Sequence, residues 1–370
     1  MVERKILLNP GPATTTESVK KAQIVPDICP REEEFGDVMQ GIREDLVEIA
    51  GGDENHTSIL FAGSGTAVMD SVINSVVPEG NKILIINNGA YGERMVKIAR
   101  RYDIGFEELK FEWGSKIELN KVESILDQND DIACVSVVHH ETTTGILNPI
   151  EEIGEITKEC GCTFIVDTIS SFAGIPFSIK DCNIDFMMST SNKCIQGMAG
   201  VAFVICKKEE LEKIKNYPKR SFYLDLYSQY DHLEEKKQMR FTVPVQVMYA
   251  LRQAIDEFFE EGARNRYSRY KKNYEVLIEG LKERGFELFL DDDVEESHIL
   301  TTVVEPSHPN FDFEELHDRL YERGFTIYPG KVKDGKTFRI AVMGSIDHND
   351  IKNFLKAMDE VLNEMEINLK

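Results

Sequence analysis

Lys193 and Asp167 are an amine and an acid, each delivered by an apolar run. Lys193 follows Asp185-Phe-Met-Met-Ser-Thr-Ser-Asn, where Phe186 to Met188 read as a buried strand that ends in a polar cluster. A lysine at such a point either snorkels to water or serves as the amine that forms a Schiff base with a carbonyl cofactor. Asp167 closes a second run, Thr163-Phe-Ile-Val, and is followed by Thr168-Ile-Ser-Ser. It caps a turn, or it is a buried acid paired with a cation. Two further stretches carry chemistry. Gly63-Ser-Gly-Thr follows Ser58-Ile-Leu-Phe-Ala and opens a helix, presenting N–H groups and hydroxyls to an anion. A dinucleotide site needs a third glycine, where Val68 stands, and an acid after the next strand, where Asn87-Asn-Gly follows. The cup therefore suits a mononucleotide-sized cofactor. Tyr91, in Asn87-Asn-Gly-Ala-Tyr-Gly-Glu-Arg, is a loop aromatic that either packs locally or stacks on a ligand ring for about 0.5–1.5 kcal/mol.

The elements that position these groups repeat as strand, glycine turn and helix from about Thr57 to Cys206. Ile132-Ala-Cys-Val-Ser-Val-Val, Thr163-Phe-Ile-Val and Val201-Ala-Phe-Val-Ile-Cys are near-continuous apolar runs, the mark of strands buried on both faces. This predicts an α/β unit with a mostly parallel sheet and ligands beyond the carboxyl ends of its strands. Helical periodicity covers 150–160, and a short crossover helix is expected near 178–182. Residues 207–237 read as a polar connector. An amphipathic helical region runs from about 245 to 281, interrupted near Gly262. Beyond it, strands at 299–305 and 336–342 alternate with helices at 313–323 and 349–365, a smaller α+β unit. At the start, Asn9-Pro-Gly-Pro is a rigid turn, and Thr14 to Thr16 can cap a helix from Glu17.

The 370 residues include 42% hydrophobic and 29% charged side chains, ordinary for a soluble globular protein. A net charge of -22 argues against nucleic acid or an anionic membrane as partner. No run reaches the roughly 20 apolar residues of a membrane span, and Ile6 to Leu8 is too brief for a signal peptide. Seven cysteines without a Cys-x-x-Cys pair read as reduced thiols of a cytoplasmic protein, with no metal site.

Taken in order, Asn9-Pro-Gly-Pro, Gly63-Ser-Gly-Thr, Asn88-Gly-Ala-Tyr-Gly-Glu-Arg-Met, Glu141-Thr-Thr-Thr-Gly-Ile-Leu-Asn-Pro-Ile, Val166-Asp-Thr-Ile-Ser-Ser-Phe-Ala-Gly-Ile-Pro, Ser191-Asn-Lys-Cys-Ile-Gln-Gly and Phe338-Arg-Ile-Ala-Val-Met-Gly resemble the fold-type I, class V pyridoxal-phosphate aminotransferases. The likeness spans nearly the whole chain, and the shared order of the motifs is specific. It implies a large domain at 21–265 with a seven-stranded, mostly parallel sheet sandwiched by helices, and a small α+β domain at 266–370. A segment at 1–20 would join the small domain to the active site. It implies pyridoxal 5'-phosphate as cofactor, with Lys193 as Schiff-base lysine and proton carrier and Asp167 paired with the pyridinium nitrogen. Tyr91 would stack on the ring. Ser64, Gly65, Thr66 and Asn192 would hold the phosphate, with Thr242 reaching in from the partner of a homodimer. Thr142 or Thr143 would meet the ring hydroxyl. Arg339 would clamp the acidic group of the substrate, and Asn9, Gly11 and Thr14 would lie on the substrate side.

The implied reaction is ping-pong transamination between a small amine, an aminophosphonate, and pyruvate, in either direction. An alanine– or serine–glyoxylate exchange is the alternative within the family. From another class, a non-catalytic α/β protein binding a phosphorylated ligand stays open. Departures from the family pattern are Ala67, where an aromatic is usual, Thr168, Ile169 and Ala173 beside Asp167, and the loop at 25–35. These bear on substrate preference more than on the cofactor.

Overall fold

Five apolar runs become neighbouring strands of one sheet in the computed structural model, which describes residues 5–370 apart from 292, 331 and 333–335. Residues 1–4 of the expected opening segment thus lie outside the described residues. The sheet has seven strands in the order His56–Gly63, Gly200–Lys207, Phe186–Thr190, Thr163–Asp167, Ile132–Val138, Lys82–Asn87 and Gly105–Lys110. Gly200–Lys207 runs antiparallel to both its neighbours, and every other pair is parallel. The mostly parallel seven-stranded sheet expected from the motifs is present. Its middle strands are buried along nearly their whole length, because helices cover both faces. Each parallel strand ends on the same edge, so Gly63, Asn87, Val138, Asp167 and Thr190 hand their following loops to one place.

A second core gathers Tyr274, Leu277, Phe338, Phe354 and Met358. Its three-stranded antiparallel sheet, Leu300–Val304 with Thr337–Ala341 and Tyr328–Pro329, is backed by the helices Ala263–Glu283, Phe313–Glu322 and His348–Glu364. The opening segment ties the two units. Ile6–Leu7 pairs with Phe325–Thr326, Leu8 sits in the second core, and the Ala13 N–H donates to the Asn192 carbonyl at 3.0 Å.

Three sequence expectations change. Residues 178–182 form turns, not a crossover helix. Pro176 and Asn183, at φ +52°, bound too short a stretch, and Ile179 N–H is held by the Ala50 carbonyl at 2.9 Å. The connector at 207–237 carries two helices, Lys208–Ile214 and Leu226–Lys236, whose buried stripes are too thin to show as periodicity amid the charges. The helix Glu33–Ile49 starts within the loop read at 25–35. By contrast, the long helical region breaks at Gly262 as expected. With φ at +80°, that residue separates Val245–Glu261 from Ala263–Glu283, a conformation that favours glycine. No described helix is long and apolar enough to cross a membrane.

Candidate active site

The loops at the carboxyl edge bring Tyr91, His140, Thr142, Asp167, Ser170 and Lys193 around one cavity, with Val138 and Ile169 as its apolar wall. Larger clefts exist, and one of them is lined by the ion pair Arg43–Glu234, which satisfies itself. Chemistry, not size, marks the smaller cavity.

Asp167 ends its strand 3% exposed, and its Oδ1 accepts the Ile169 N–H at 2.8 Å. Burial lifts its carboxyl to about 7, and the cations Arg94 and Lys193 pull it down only in part. Lys193 is positioned by a tight turn. The Ser191 hydroxyl donates to the Val201 carbonyl at 2.9 Å, and the Gly197 N–H donates to the Ser191 carbonyl at 2.7 Å. The lysine Nζ donates to the Pro10 carbonyl. Burial brings the ammonium down from 10.5 to about 8, against the attraction of Asp167, while Arg339 and Arg94 add to the fall.

Gly11 packs on the lysine stem. A Cβ there would stand 2.7 Å from Lys193 Cδ and Cε, on a backbone at φ +127°. Gly11→Ala is therefore expected to cost about 1–3 kcal/mol of stability and to displace Lys193. Thermal unfolding together with cofactor uptake measures both, and an alanine variant with wild-type values would contradict the packing.

Glu141, which the sequence reading did not single out, organises the opposite wall. Fully buried, it accepts the N–H groups of Tyr91 and Thr143 at 3.0 Å each and the Thr143 hydroxyl at 2.5 Å. Burial raises its carboxyl above the usual range, and these hydrogen bonds oppose that. It thereby holds the first turn of the helix Ala90–Arg101, and with it Tyr91. Arg94, one turn later, lies 4.6 Å over the Tyr91 ring and donates to the Thr66 hydroxyl at 2.9 Å. The available signals were an acid between an apolar strand and Thr-Thr-Thr, and an arginine three residues after Tyr91 on a helix.

The residues expected to hold a phosphate lie at the turn between strand and helix and at the lysine turn. Ser64 is the extended N-cap of the helix Gly65–Val76, its hydroxyl unused in the cap, and Thr66 faces Arg94. Asn192 Oδ1 accepts the Thr190 hydroxyl at 3.1 Å. Of the two threonines considered for the ring hydroxyl, Thr142 lines the cavity, whereas the Thr143 hydroxyl is engaged by Glu141.

Arg339, 4% exposed, donates to the Pro329 carbonyl from Nε at 3.2 Å and Nη2 at 3.0 Å, and to the Thr142 carbonyl at 3.2 Å. It makes no ion pair among the described residues. Asn9 is buried with Nδ2 on the Pro12 carbonyl at 3.2 Å, and its Oδ1 lacks a partner among the described residues. The Thr14 hydroxyl accepts the Leu7 N–H at 2.9 Å, which ties down the opening segment. Thr242 is exposed beside Phe241 and Tyr223, outside the cavity of its own chain.

Residues 19–332 match the family described as aminotransferase class-V. A 2-aminoethylphosphonate–pyruvate transaminase of Phocaeicola vulgatus is 41% identical over 96% of this chain and 98% of its own. A bifunctional phosphonoacetaldehyde hydrolase/aminoethylphosphonate transaminase of Clostridioides difficile is 42% identical over 97% of this chain, which spans only 56% of that longer protein. Among solved structures, an alanine–glyoxylate aminotransferase from Nostoc sp. superposes with a TM-score of 0.91 at 29% identity, covering 98% of this chain and 96% of that one. With the cavity's lysine and acid lying where the motifs put them, and the match running through nearly the whole length, the chain belongs to the class-V aminotransferases.

Proposed function

We propose that the protein transfers the amino group of 2-aminoethylphosphonate to pyruvate, giving phosphonoacetaldehyde and L-alanine, or runs the same reaction in reverse. The observation that carries this is a largely buried lysine sharing one cavity with a buried acid, near a buried arginine that makes no ion pair among the described residues. The names of the relatives direct it to the aminophosphonate.

The donor set fits pyridoxal 5'-phosphate. Bound there, the cofactor supplies an aldehyde and a pyridine ring that takes up the electrons of a broken C–H bond. Lys193 would provide the amine for that aldehyde and, as free base, would carry the proton of the amine-bearing carbon. Asp167 would hold the proton on the ring nitrogen. The N-terminus of the helix Gly65–Val76, with Ser64, Thr66 and Asn192, would hold the phosphate. Tyr91 would cover the ring face and Thr142 would meet the ring hydroxyl. Arg339, a planar bidentate donor, would take the phosphonate of one substrate and the carboxylate of the other, with Asn9 and Gly11 beside it. Residues 21–265 serve in this reading as the cofactor-holding unit and 266–370 as the smaller one.

A homodimer completes the site. Phe222 is 80% exposed beside Tyr223 and Phe241, with Arg240 against the rings and Thr242 next in sequence. A solvent-facing aromatic patch with a polar rim fits a partner surface, and from it Thr242 would reach the partner's phosphate site. The free, scattered cysteines suit the cytoplasm.

The Nostoc neighbour favours a second reading, exchange between serine or alanine and glyoxylate. Half-reactions followed by the absorbance of bound cofactor separate the two. We expect 2-aminoethylphosphonate to convert the cofactor at least about tenfold faster than serine, with pyruvate outpacing glyoxylate on return. Faster conversion by serine would favour the second reading.

A further inference from the structure

His140 presents a polar ring to the cavity without a hydrogen bond of ordinary geometry among the described residues. It lies two residues beyond the strand Ile132–Val138, 1% exposed, and shares the cavity wall with Lys193, Asp167, Thr142 and Tyr91. Its backbone is fixed. Its carbonyl accepts the Ser170 hydroxyl at 2.9 Å, and it pairs with Leu147 in a short antiparallel ladder. The side chain is not. Neither Nδ1 nor Nε2 makes a hydrogen bond of ordinary geometry among the described residues, and the Ser170 backbone acts on the ring only as the smallest of four influences. A neutral imidazole carries one N–H and one lone pair, and buried polar groups are almost always satisfied. The adjacent His139 shows the ordinary case, with its Nδ1 3.0 Å from the Ser171 hydroxyl and its ring edge-on to Phe177. If the wall at position 140 needed only bulk, an aliphatic side chain would supply it without burying two polar nitrogens.

We infer that His140 is a further cofactor-contacting residue, whose ring hydrogen-bonds a polar atom of bound pyridoxal phosphate. This rests on the cofactor reading above. The ring acts as a neutral partner, not as a charged acid, since burial, then His139 and Lys193, hold it at about 3 against a small opposing pull from the Ser170 backbone. Its work is to orient the cofactor between the Tyr91 side and the Asp167 wall, leaving proton transfer to Lys193.

The test titrates cofactor-free full-length chain with pyridoxal 5'-phosphate, following the absorbance of the bound form. His140→Phe and the smaller His140→Leu both remove the hydrogen bond, while His140→Asn keeps a donor and an acceptor. Thermal unfolding of each cofactor-free variant reports on folding. We expect His140→Phe and His140→Leu to bind about tenfold more weakly or worse with a displaced absorbance band. Their cofactor-free unfolding temperatures should be equal to the wild type's or higher, because an unsatisfied polar ring is gone. His140→Asn should bind within about threefold of wild type. Wild-type affinity and an unchanged band in both apolar variants would overturn the assignment while leaving the cofactor reading intact. So would asparagine behaving as badly as leucine with a lowered unfolding temperature, the mark of a packing residue. A wild-type chain that gives no band at all would overturn the cofactor reading and this inference with it.

Discussion

Lys193→Ala is expected to lower transamination on the order of 10⁴-fold, the upper range for losing a positioned acid–base group, while pyridoxal phosphate still binds. In the proposed reaction alanine would remove both the amine that bonds the cofactor and the base that moves the substrate proton, and no other described amine lines the cavity. The helix N-terminus at Gly65, Tyr91 and Asp167 remain, so non-covalent binding should survive. Borohydride should fasten the cofactor to the wild-type chain at residue 193 and leave the variant unlabelled, read by peptide mass. Turnover within tenfold of wild type would sink the assignment.

The same lysine sets a pH dependence. A pKa lowered to about 8 leaves roughly 9% of the amine unprotonated at pH 7, against about 0.03% for an ordinary lysine at 10.5. The protonated form has no lone pair to attack a carbonyl. Capture of cofactor by the empty chain should therefore fall about tenfold per pH unit below 8 and level off above it.

Asp167→Asn is the second large effect. Asparagine keeps the shape and an oxygen for the Ile169 N–H, so the fold should stand. What it would lose is the charge proposed to face the ring nitrogen. Empty, Asp167 sits near 7 because burial disfavours its anion, and a ring cation beside it would draw it to the charged form. Breaking such a buried charge pair costs about 2–5 kcal/mol, so turnover should drop about 30- to 5,000-fold, with a smaller loss of cofactor affinity. Steady-state rates and cofactor titration distinguish the two, and a variant within threefold of wild type would refute the pairing.

Much of this site could be read from the chain because its main groups follow local patterns. Phe186 to Met188, Ile132 to Val138 and Thr163 to Val166 are apolar enough to be strands wherever they pack, and Lys193, Asp167 and the turn at Gly63 come with them. Other elements were hidden for a physical reason. The helices at 208–214 and 226–236 bury so few apolar residues that charge masks their periodicity.

The sequence by itself determined the sheet, the lysine, the acid, the glycine cup and the family. Only the tertiary structure decided which neighbouring side chains face them. Thr142 and Thr143 are alike in the chain, and Glu141 separates them by binding one hydroxyl. Arg339 reaches the Thr142 carbonyl across 197 positions, and Gly11 meets Lys193 across the junction of two cores. His140 and Arg94 likewise gain their meaning from docking. Side-chain direction at a loop depends on how separate elements come together, and nothing in a local pattern encodes that meeting.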